Sequence, residues 1–219
     1  MRIRRALTIA TTIAVALPSI AAAQRDQFRD SWFWGVKAGG MGIADASGAL
    51  KQVPLAGIEW MITRQHGGLY VSASQAFFTQ STFTAADPSS PDSGLRSISL
   101  KNMRRLDVAI VGFPGEHVKF HPYAGIGFTL VDIADAEPQG PFSTIDQLQF
   151  SENFIQEQKA AFEPMALLGA QYRLQRFSVF GQTTLNSASR DFLLYNGRQW
   201  SFSYELGLRY NVGTSISRD

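Results

Sequence analysis

The sequence predicts an all-β protein, an eight-stranded antiparallel up-and-down transmembrane β-barrel that follows an N-terminal signal peptide. The clearest evidence is the last strand-like stretch. Every even position from Trp200 to Val212 is apolar, and every odd position between them is polar, charged or glycine. Side chains alternate between the two faces of a strand, so this ribbon has one apolar and one polar face. At a tilt of about 40° it rises roughly 33 Å, enough to cross a bilayer.

The N-terminus has the three parts of a signal peptide. Arg2, Arg4 and Arg5 form a basic start, residues 6–20 are apolar or small, and three alanines at 21–23 supply a cleavage site. The alternative is a retained membrane anchor, but the apolar run is too short and too weakly hydrophobic to be a good spanning helix. We therefore expect a signal peptide at 1–23 and a single barrel domain at 24–219.

Charge and cysteine content exclude two classes of protein. The chain has 20 basic and 18 acidic residues. Removal of the three signal arginines leaves 17 basic residues against 18 acidic ones, a net charge of −1. This near-neutral balance does not indicate nucleic-acid binding. The absence of cysteine excludes a disulfide scaffold, whereas a closed barrel is held by inter-strand hydrogen bonds.

Eight candidate strands occupy the mature chain, and long and short connections alternate strictly between them. Outer-membrane barrels have long outer loops and short periplasmic turns, so we expect both termini on the periplasmic side. Segment 141–160 leaves open an extra hairpin, which would give ten strands, or an extension of the sixth strand over 154–160. The long connections are 44–54, 80–97, 132–160 and 188–198, and the short ones are 65–68, 113–119 and 174–176. The predicted strands are 32–43, 55–64, 69–79, 98–112, 120–131, 161–173, 177–187 and 199–212.

The outward face of the predicted barrel is apolar, and aromatic residues gather at the expected periplasmic ends of the strands. Aromatic rings are favourable at a membrane interface, where one part is apolar and the other wet. The alternative is that these aromatics belong to an ordinary core. The predicted interface residues are Trp32, Phe113, Phe120, Tyr172, Phe177 and Tyr210.

The inward face carries acidic and basic side chains. An eight-stranded barrel has an interior only wide enough to be filled by side chains, and an unpaired buried charge is strongly unfavourable. We therefore expect these groups to pair and to plug the lumen, the alternative being a narrow gated pore. Inward glycines would leave room for longer neighbours. The predicted polar network comprises Lys37, Glu59, Arg105, Asp107, Glu163, Glu205 and Arg209.

Two stretches resemble a known family. Residues 121–128, HPYAGIGF, resemble the P-Y-x-G-x-G strand of small outer-membrane β-barrel proteins, a superfamily that includes the membrane domain of OmpA and the opacity-type surface proteins. Residues 205–212, ELGLRYNV, are similar to the C-terminal assembly signal of such proteins. The resemblance implies location in the cell outer membrane and recognition of the last strand by the barrel-assembly machinery. The matching positions are Glu205, Gly207, Tyr210 and Val212.

Catalysis and metal binding have little support. The chain has three histidines, His66, His117 and His121, and a serine mechanism needs a base within hydrogen-bond reach of its nucleophile. Barrel deacylases carry His and Ser two residues apart on one strand, whereas Tyr123 follows His121 at that spacing. No His/Cys cluster has metal-ligand spacing, so we expect no enzymatic activity and no cofactor. The acidic segment 132–160 is either simply solvated or holds divalent cations through its oxygens.

These observations predict a non-enzymatic, monomeric outer-membrane barrel that displays four outer loops for structural or surface-interaction roles. Exposed loops on a rigid scaffold are common binding sites, so we expect an unidentified surface ligand at loops 80–97 and 132–160. The other expected partners are outer-membrane lipid, lipopolysaccharide and the barrel-assembly machinery. Two alternatives remain. One is a narrow pore or transporter for small solutes, and the other is an exported soluble lipocalin-like barrel with its apolar residues turned inward.

Overall fold

Eight antiparallel strands close into one barrel in which each strand pairs with its neighbours in the chain and β8 pairs with β1. The predicted fold class and strand number are therefore confirmed. The computed structural model describes residues 28–44, 50–84, 96–114, 119–140, 142, 144–187, 192–194 and 200–215. The predicted signal peptide at 1–23 lies outside these residues. The elements are β1 (Ser31–Ala44), β2 (Leu50–Thr63), β3 (Gly67–Thr84), β4 (Arg96–Gly112), β5 (Phe120–Gln139), α1 (Ile145–Gln158), β6 (Ala160–Leu174), β7 (Phe177–Ser187) and β8 (Trp200–Thr214).

Alternation along the strands separates an apolar exterior from the lumen. In β8, Tyr204, Leu206 and Leu208 are at least half exposed, whereas Ser203 and Glu205 on either side of Tyr204 are buried. The same period of two continues around the barrel because paired strands share the faces of their partner residues. We call the end with connections 64–66, 113–119 and 175–176 the turn end, and the opposite end the loop end.

The strict alternation of long and short connections is wrong at one position. Because β2 begins at Leu50 and β1 ends at Ala44, their connection covers only residues 45–49 and is shorter than connection 113–119. The loops at 80–97 and 132–160 are also shorter than predicted, since β3 continues to Thr84 and β5 to Gln139. Residues 85–95 of the first of these loops lie outside the described part of the chain.

Strands β3, β4 and β5 project beyond the rest of the barrel at the loop end. Pairing of β2 with β3 stops at Ala76, whereas β3 and β4 stay paired up to Thr84 and Arg96. A bulge interrupts this pairing between Ala76 and Thr79. Opposite it, Asn102 has a φ of 55°, and its Oδ1 accepts the Phe78 N–H at 3.3 Å. Asparagine tolerates the left-handed region better than most residues, which explains how β4 changes faces here.

The segment that left a ten-stranded barrel open contains a helix. Helix α1 begins after Thr144, whose hydroxyl accepts the Gln147 N–H at 3.3 Å as an N-cap. The suggested extra hairpin in 141–160 and the extension of the sixth strand over 154–160 are therefore both wrong, since β6 begins at Ala160. Among the described residues, no helix is long and apolar enough to span a membrane.

The lumen has three layers, whereas the sequence predicts a polar inward face that carries acidic and basic side chains. Inward residues near each end are mainly apolar, although buried His121 and Arg173 lie toward the turn end, and the middle layer is polar and charged. We call the two apolar layers the turn-end cap and the loop-end cap. The turn-end cap contains Phe28, Phe33, Met61, Tyr70, Ala109, Val111, Tyr123, Met165 and Leu167. The loop-end cap is built chiefly from Met41, Ile43, Val53, Leu55, Phe78, Ile98, Leu100, Met103, Val131, Ile133, Ile155 and residues 192–194.

Candidate functional site in the barrel lumen

Lys37 on β1 lies at the centre of the polar layer. Its Nζ donates to Glu205 Oε2 at 2.8 Å, to Ser72 Oγ at 3.0 Å and to Tyr70 OH at 3.1 Å. Asp107 Oδ2 lies 3.7 Å from the same nitrogen. An ammonium has three donors, and here all three are used. The buried cation is therefore both neutralised and fully hydrogen-bonded, the condition under which a buried charge is tolerated.

Asp107 on β4 connects Lys37 to a second cation. Arg105 Nη2 donates to Asp107 Oδ1 at 3.2 Å. Thr129 donates to the same oxygen at 2.9 Å, and Ser72 donates to Oδ2 at 2.8 Å. The carboxylate thus accepts from two neutral hydroxyls as well as pairing with cations. Hydrogen bonds to an ionised group are stronger than those between neutral groups, so this cluster ties β1, β3, β4 and β5 together.

Arg209 on β8 forms an ion pair in a second cluster of the layer. Its Nε donates to Glu59 Oε1 on β2, its Nη1 to Gln171 Oε1 at 2.5 Å, and its Nη2 to Tyr123 OH at 3.1 Å. The guanidinium carbon also lies 4.0 Å from the centroid of the Phe180 ring. An arginine over an aromatic face gains a cation–π attraction. Arg209 is 1% exposed, so all of these interactions lie out of contact with bulk solvent.

Gln182 on β7 joins the two ion-pair clusters. Its Nε2 donates to Glu205 Oε2 at 2.6 Å and to Tyr70 OH at 2.7 Å. Its Oε1 accepts from Arg209 Nη2 at 3.2 Å and from Tyr123 OH at 2.9 Å. The amide therefore orients one end toward the Lys37 cluster and the other toward the Arg209 cluster. The result is one hydrogen-bonded network across the lumen.

Six of the seven predicted network residues take part in the contacts described above. Glu163, the seventh, is fully buried on β6 opposite Thr129 in the strand register. Inward Arg173 and His121 are also buried. The sequence analysis did not identify the uncharged polar residues of this network, although their inward positions on the strands could have indicated them. Those residues are Tyr70, Ser72, Tyr123, Thr129, Gln171, Gln182, Thr184 and Ser203.

Phe28 lies at the centre of the turn-end cap. Its ring stacks on His121 with centroids 3.9 Å apart and meets Phe113 edge-to-face at 4.8 Å. The backbone carbonyl of Phe28 accepts from the Thr63 hydroxyl. Such aromatic contacts stabilise beyond simple burial. These contacts hold the residues just before β1 across the turn end of the lumen.

Helix α1 covers the loop-end cap. Ile155 is buried against the cap, and Phe154 packs beside it. Backbone hydrogen bonds secure the C-terminal end of the helix. The Gln158 carbonyl accepts the Leu193 N–H at 3.3 Å, and the Lys159 carbonyl accepts the Ile133 N–H at 2.9 Å. The outer side of α1 remains exposed, including Ile145 and Phe150.

Two inward glycines make space for the aromatic rings of the lumen. Gly169 faces Tyr123 in the strand register, and a Cβ at Gly169 would lie 2.6 Å from the Tyr123 ring. Gly207 faces Phe180, and a Cβ there would approach the Phe180 ring to 2.5 Å. Both distances are far inside van der Waals contact. These glycines therefore allow the rings to lie flat across a neighbouring strand.

The predicted interface aromatics lie at the turn end, and five of the six are on the outer surface. Phe177 and Tyr210 pack together at 5.1 Å between ring centroids, and Trp32 contacts Trp60 edge-to-face at 5.6 Å. Phe120 and Tyr172 occupy opposite positions on β5 and β6. Phe113 differs, because it packs inward against the turn-end cap. Phe113 follows the last residue of β4, so the alternation of faces along the strand does not predict which way its side chain points.

The four residues that resemble an assembly signal divide between the two faces of β8. Glu205 and Gly207 point into the lumen, where Glu205 accepts from Lys37. Val212 is exposed on the exterior, and Tyr210 contacts Phe177 there. Within the described part of the chain, no group of three His, Cys, Asp or Glu residues is placed to hold a metal ion.

Comparison with solved structures finds the same fold. Neisserial surface protein A matches with a TM-score of 0.52 at 9% identity, over 82% of this chain and 96% of that one. The attachment invasion locus protein of Yersinia pestis matches with a TM-score of 0.48 at 11% identity, over 84% and 99%. The outer membrane protein OprG from Pseudomonas aeruginosa matches with a TM-score of 0.44 at 12% identity, over 85% and 98%. No family model and no curated protein matches the sequence. The match to Neisserial surface protein A, whose TM-score is above 0.5, shows that the chain has the fold of small outer-membrane β-barrels.

Proposed function

We propose that this protein is a non-enzymatic outer-membrane barrel whose closed lumen makes it a rigid scaffold, and that it acts through the surface at its loop end. The observation that supports this most strongly is the filled middle layer. Lys37, Arg105 and Arg209 are paired with Asp107, Glu205 and Glu59 inside the barrel. A conducting lumen would need these contacts to part, which would leave charges buried without partners.

The two caps support closure independently of the charges. Apolar side chains at each end of the lumen exclude water from the polar layer, and that makes its electrostatic contacts stronger. A hydrophobic constriction is itself a barrier to ions. An ion entering from either end would have to cross an apolar layer before it reached Lys37 or Glu205.

The exterior supports a membrane location over the soluble lipocalin-like alternative. Large apolar side chains such as Ile110, Ile126 and Leu206 are more than two-thirds exposed on the outer face. A soluble barrel would leave this wide apolar band in water, where contiguous apolar patches of such extent are uncommon. A barrel in lipid requires that band. The polar middle of the lumen also differs from the apolar ligand cavity of a lipocalin.

The loop end is the candidate interaction surface. The projecting strands β3, β4 and β5 and helix α1 form a folded platform there, and Ile145 of α1 is 73% exposed. Such a platform has lower conformational freedom than a disordered loop, so a partner would bind with a smaller entropic cost. The outward acidic residues Asp146, Glu152 and Glu157 on α1 favour a partner with positive charge.

Single-channel recording tests the closed lumen. We expect the refolded mature protein to insert into a planar bilayer without discrete openings. Glu205→Gln and Arg209→Gln should raise the frequency of openings, because each removes one partner of a buried ion pair. Steady openings of the unaltered protein, changed in size by these two substitutions, would contradict the closed scaffold and favour the pore. Lys51→Gln, an exposed change on β2, is the matched control.

A further inference from the structure

An open groove lies on the outer face of the barrel near the turn end, over the seam where β8 pairs with β1. Its volume is about 380 Å³, within the range of roughly 300–1,000 Å³ typical of ligand sites. The side chains that line it are apolar or aromatic and come from β1, β2, β7 and β8. They are Trp34, Val36, Ile58, Phe177, Leu208 and Tyr210. A hydrocarbon chain is the chemical group that suits this lining.

Two pairs of aromatic rings border the groove. Trp34 and Tyr210 occupy directly opposite positions on β1 and β8. Trp34 packs against Trp60 of β2 with ring centroids 6.4 Å apart, and Tyr210 packs against Phe177 of β7 at 5.1 Å. Each ring at the seam is therefore held by a ring on the strand farther from the seam. A groove with walls fixed in this way loses little freedom when a ligand enters it.

Arg176 lies at the turn-end mouth of this groove. The tight turn between β6 and β7, in which Gln175 has a φ of 59°, brings Arg176 beside β8, where its carbonyl accepts the Asn211 N–H at 2.8 Å. The exposed guanidinium donates to Tyr210 OH at 3.5 Å, so the charge lies next to a ring that lines the groove. Arg176 has no acidic partner within the described part of the chain. Its remaining donors are accessible to an anionic ligand.

The turn end as a whole carries an excess of exposed positive charge. Among the described residues of this end, one is acidic, Asp30, which lies 3.8 Å from Arg64. The exposed cations there are Arg29, Arg64, Lys119 and Arg176. Short connections of an outer-membrane barrel lie on the periplasmic side, where the leaflet consists of phospholipid and lipopolysaccharide occupies the opposite one. The groove therefore opens, with a positive mouth, into a phospholipid leaflet.

We propose that this groove binds an anionic phospholipid of the phosphatidylglycerol class in the periplasmic leaflet. One acyl chain lies along Val36, Ile58 and Leu208, and the phosphate contacts the Arg176 guanidinium beside Tyr210. The net negative charge of this lipid complements the turn end. Phosphatidylethanolamine would bring an ammonium against the same positive charge, so its attraction is weaker. The proposal depends on the membrane location and orientation of the barrel, but not on a closed lumen or a partner at the loop end.

Quenching of Trp34 fluorescence by brominated lipids can test this selectivity in a bilayer. In the full mature protein, Trp32→Phe, Trp60→Phe and Trp200→Phe leave Trp34 as the only tryptophan. The probes are phosphatidylglycerol and phosphatidylethanolamine with brominated acyl chains, each at the same fraction in phosphatidylcholine vesicles. We expect phosphatidylglycerol to be enriched at Trp34 about two- to fourfold over phosphatidylethanolamine, as exposed charge contacts of modest strength predict. Salt at about 1 M should remove most of this preference.

Substitution of Arg176 supplies the sharpest test. Arg176→Gln should remove most of the enrichment, and Arg176→Glu should turn it into a preference for phosphatidylethanolamine. Lys119→Gln is the matched control, because it removes an exposed cation from the same end but outside the groove, and it should preserve the enrichment. Heat-modifiable gel migration checks that each variant is folded. An equal loss in Arg176→Gln and Lys119→Gln would overturn the proposal. Equal quenching by both lipids before these changes would also overturn it, while the membrane location would stand.

Discussion

The two faces of β8 show how differently the same strand is stabilised inside and outside the barrel. Arg209 is 1% exposed and pairs with Glu59, whereas its neighbour Leu208 is 50% exposed on the outer surface. Charged residues lie inside and apolar residues outside, the reverse of a soluble protein. Each inward charge is therefore stabilised by a particular partner residue, as Arg209 is by Glu59. The outward apolar residues need no particular partner, because the surrounding lipid stabilises any apolar side chain there.

The largest effect should come from breaking an inward pair. Arg209→Gln leaves the Glu59 carboxylate buried without its cation, which should lower the free energy of unfolding by about 3–5 kcal/mol. Urea unfolding in lipid vesicles, followed by tryptophan fluorescence, measures this change. The double variant Glu59→Gln/Arg209→Gln should recover part of the loss, because no uncompensated charge remains. An unchanged stability of the single variant would show that the pair does not hold the lumen.

A charge placed on the outward face should have a somewhat smaller effect. Leu206→Arg puts a cation in contact with lipid, at a cost of about 2–4 kcal/mol near the bilayer midplane. We expect reduced insertion into vesicles, measured by the heat-modifiable gel shift, while Leu206→Val inserts normally. Normal insertion of the arginine variant would mean that the outer face has been assigned to the wrong side of β8.

Packing inside the lumen gives the smallest of the three effects. Gly169→Ala brings a Cβ to 2.6 Å from the Tyr123 ring, so the ring and its hydrogen bond to Gln182 must move. Overpacking of this kind typically costs about 1–3 kcal/mol. At Gly112 the nearest atom to an added Cβ is 3.9 Å away, so Gly112→Ala is the matched control. Equal urea midpoints for the two variants would contradict the tight fit of Tyr123 over Gly169.

The turn-end and loop-end caps differ in how far the sequence indicates them. Phe33, Met61 and Tyr70 occupy inward positions in strands whose parity is regular, so the turn-end cap follows from alternation once inward apolar residues are considered. The loop-end cap follows from alternation only in part, through inward residues such as Met41 and Leu55 on β1 and β2. It requires the parity change at Asn102, and it requires α1, whose sequence contains few apolar residues and has no strand period. Local pattern alone could not reveal either feature.

The fold class and the face on which most strand residues lie can be predicted from the sequence, whereas segment 141–160 left eight and ten strands both open. These properties are local, because each strand carries its own period of two and an apolar side suited to lipid. The pairing of the lumen charges, in contrast, depends on the tertiary structure. Arg209 and Glu59 are far apart in the chain, and they pair because barrel closure sets β8 beside β1 and β1 beside β2 in one register. Closure is a property of the whole sheet. No single strand therefore encodes the network, the caps or the groove.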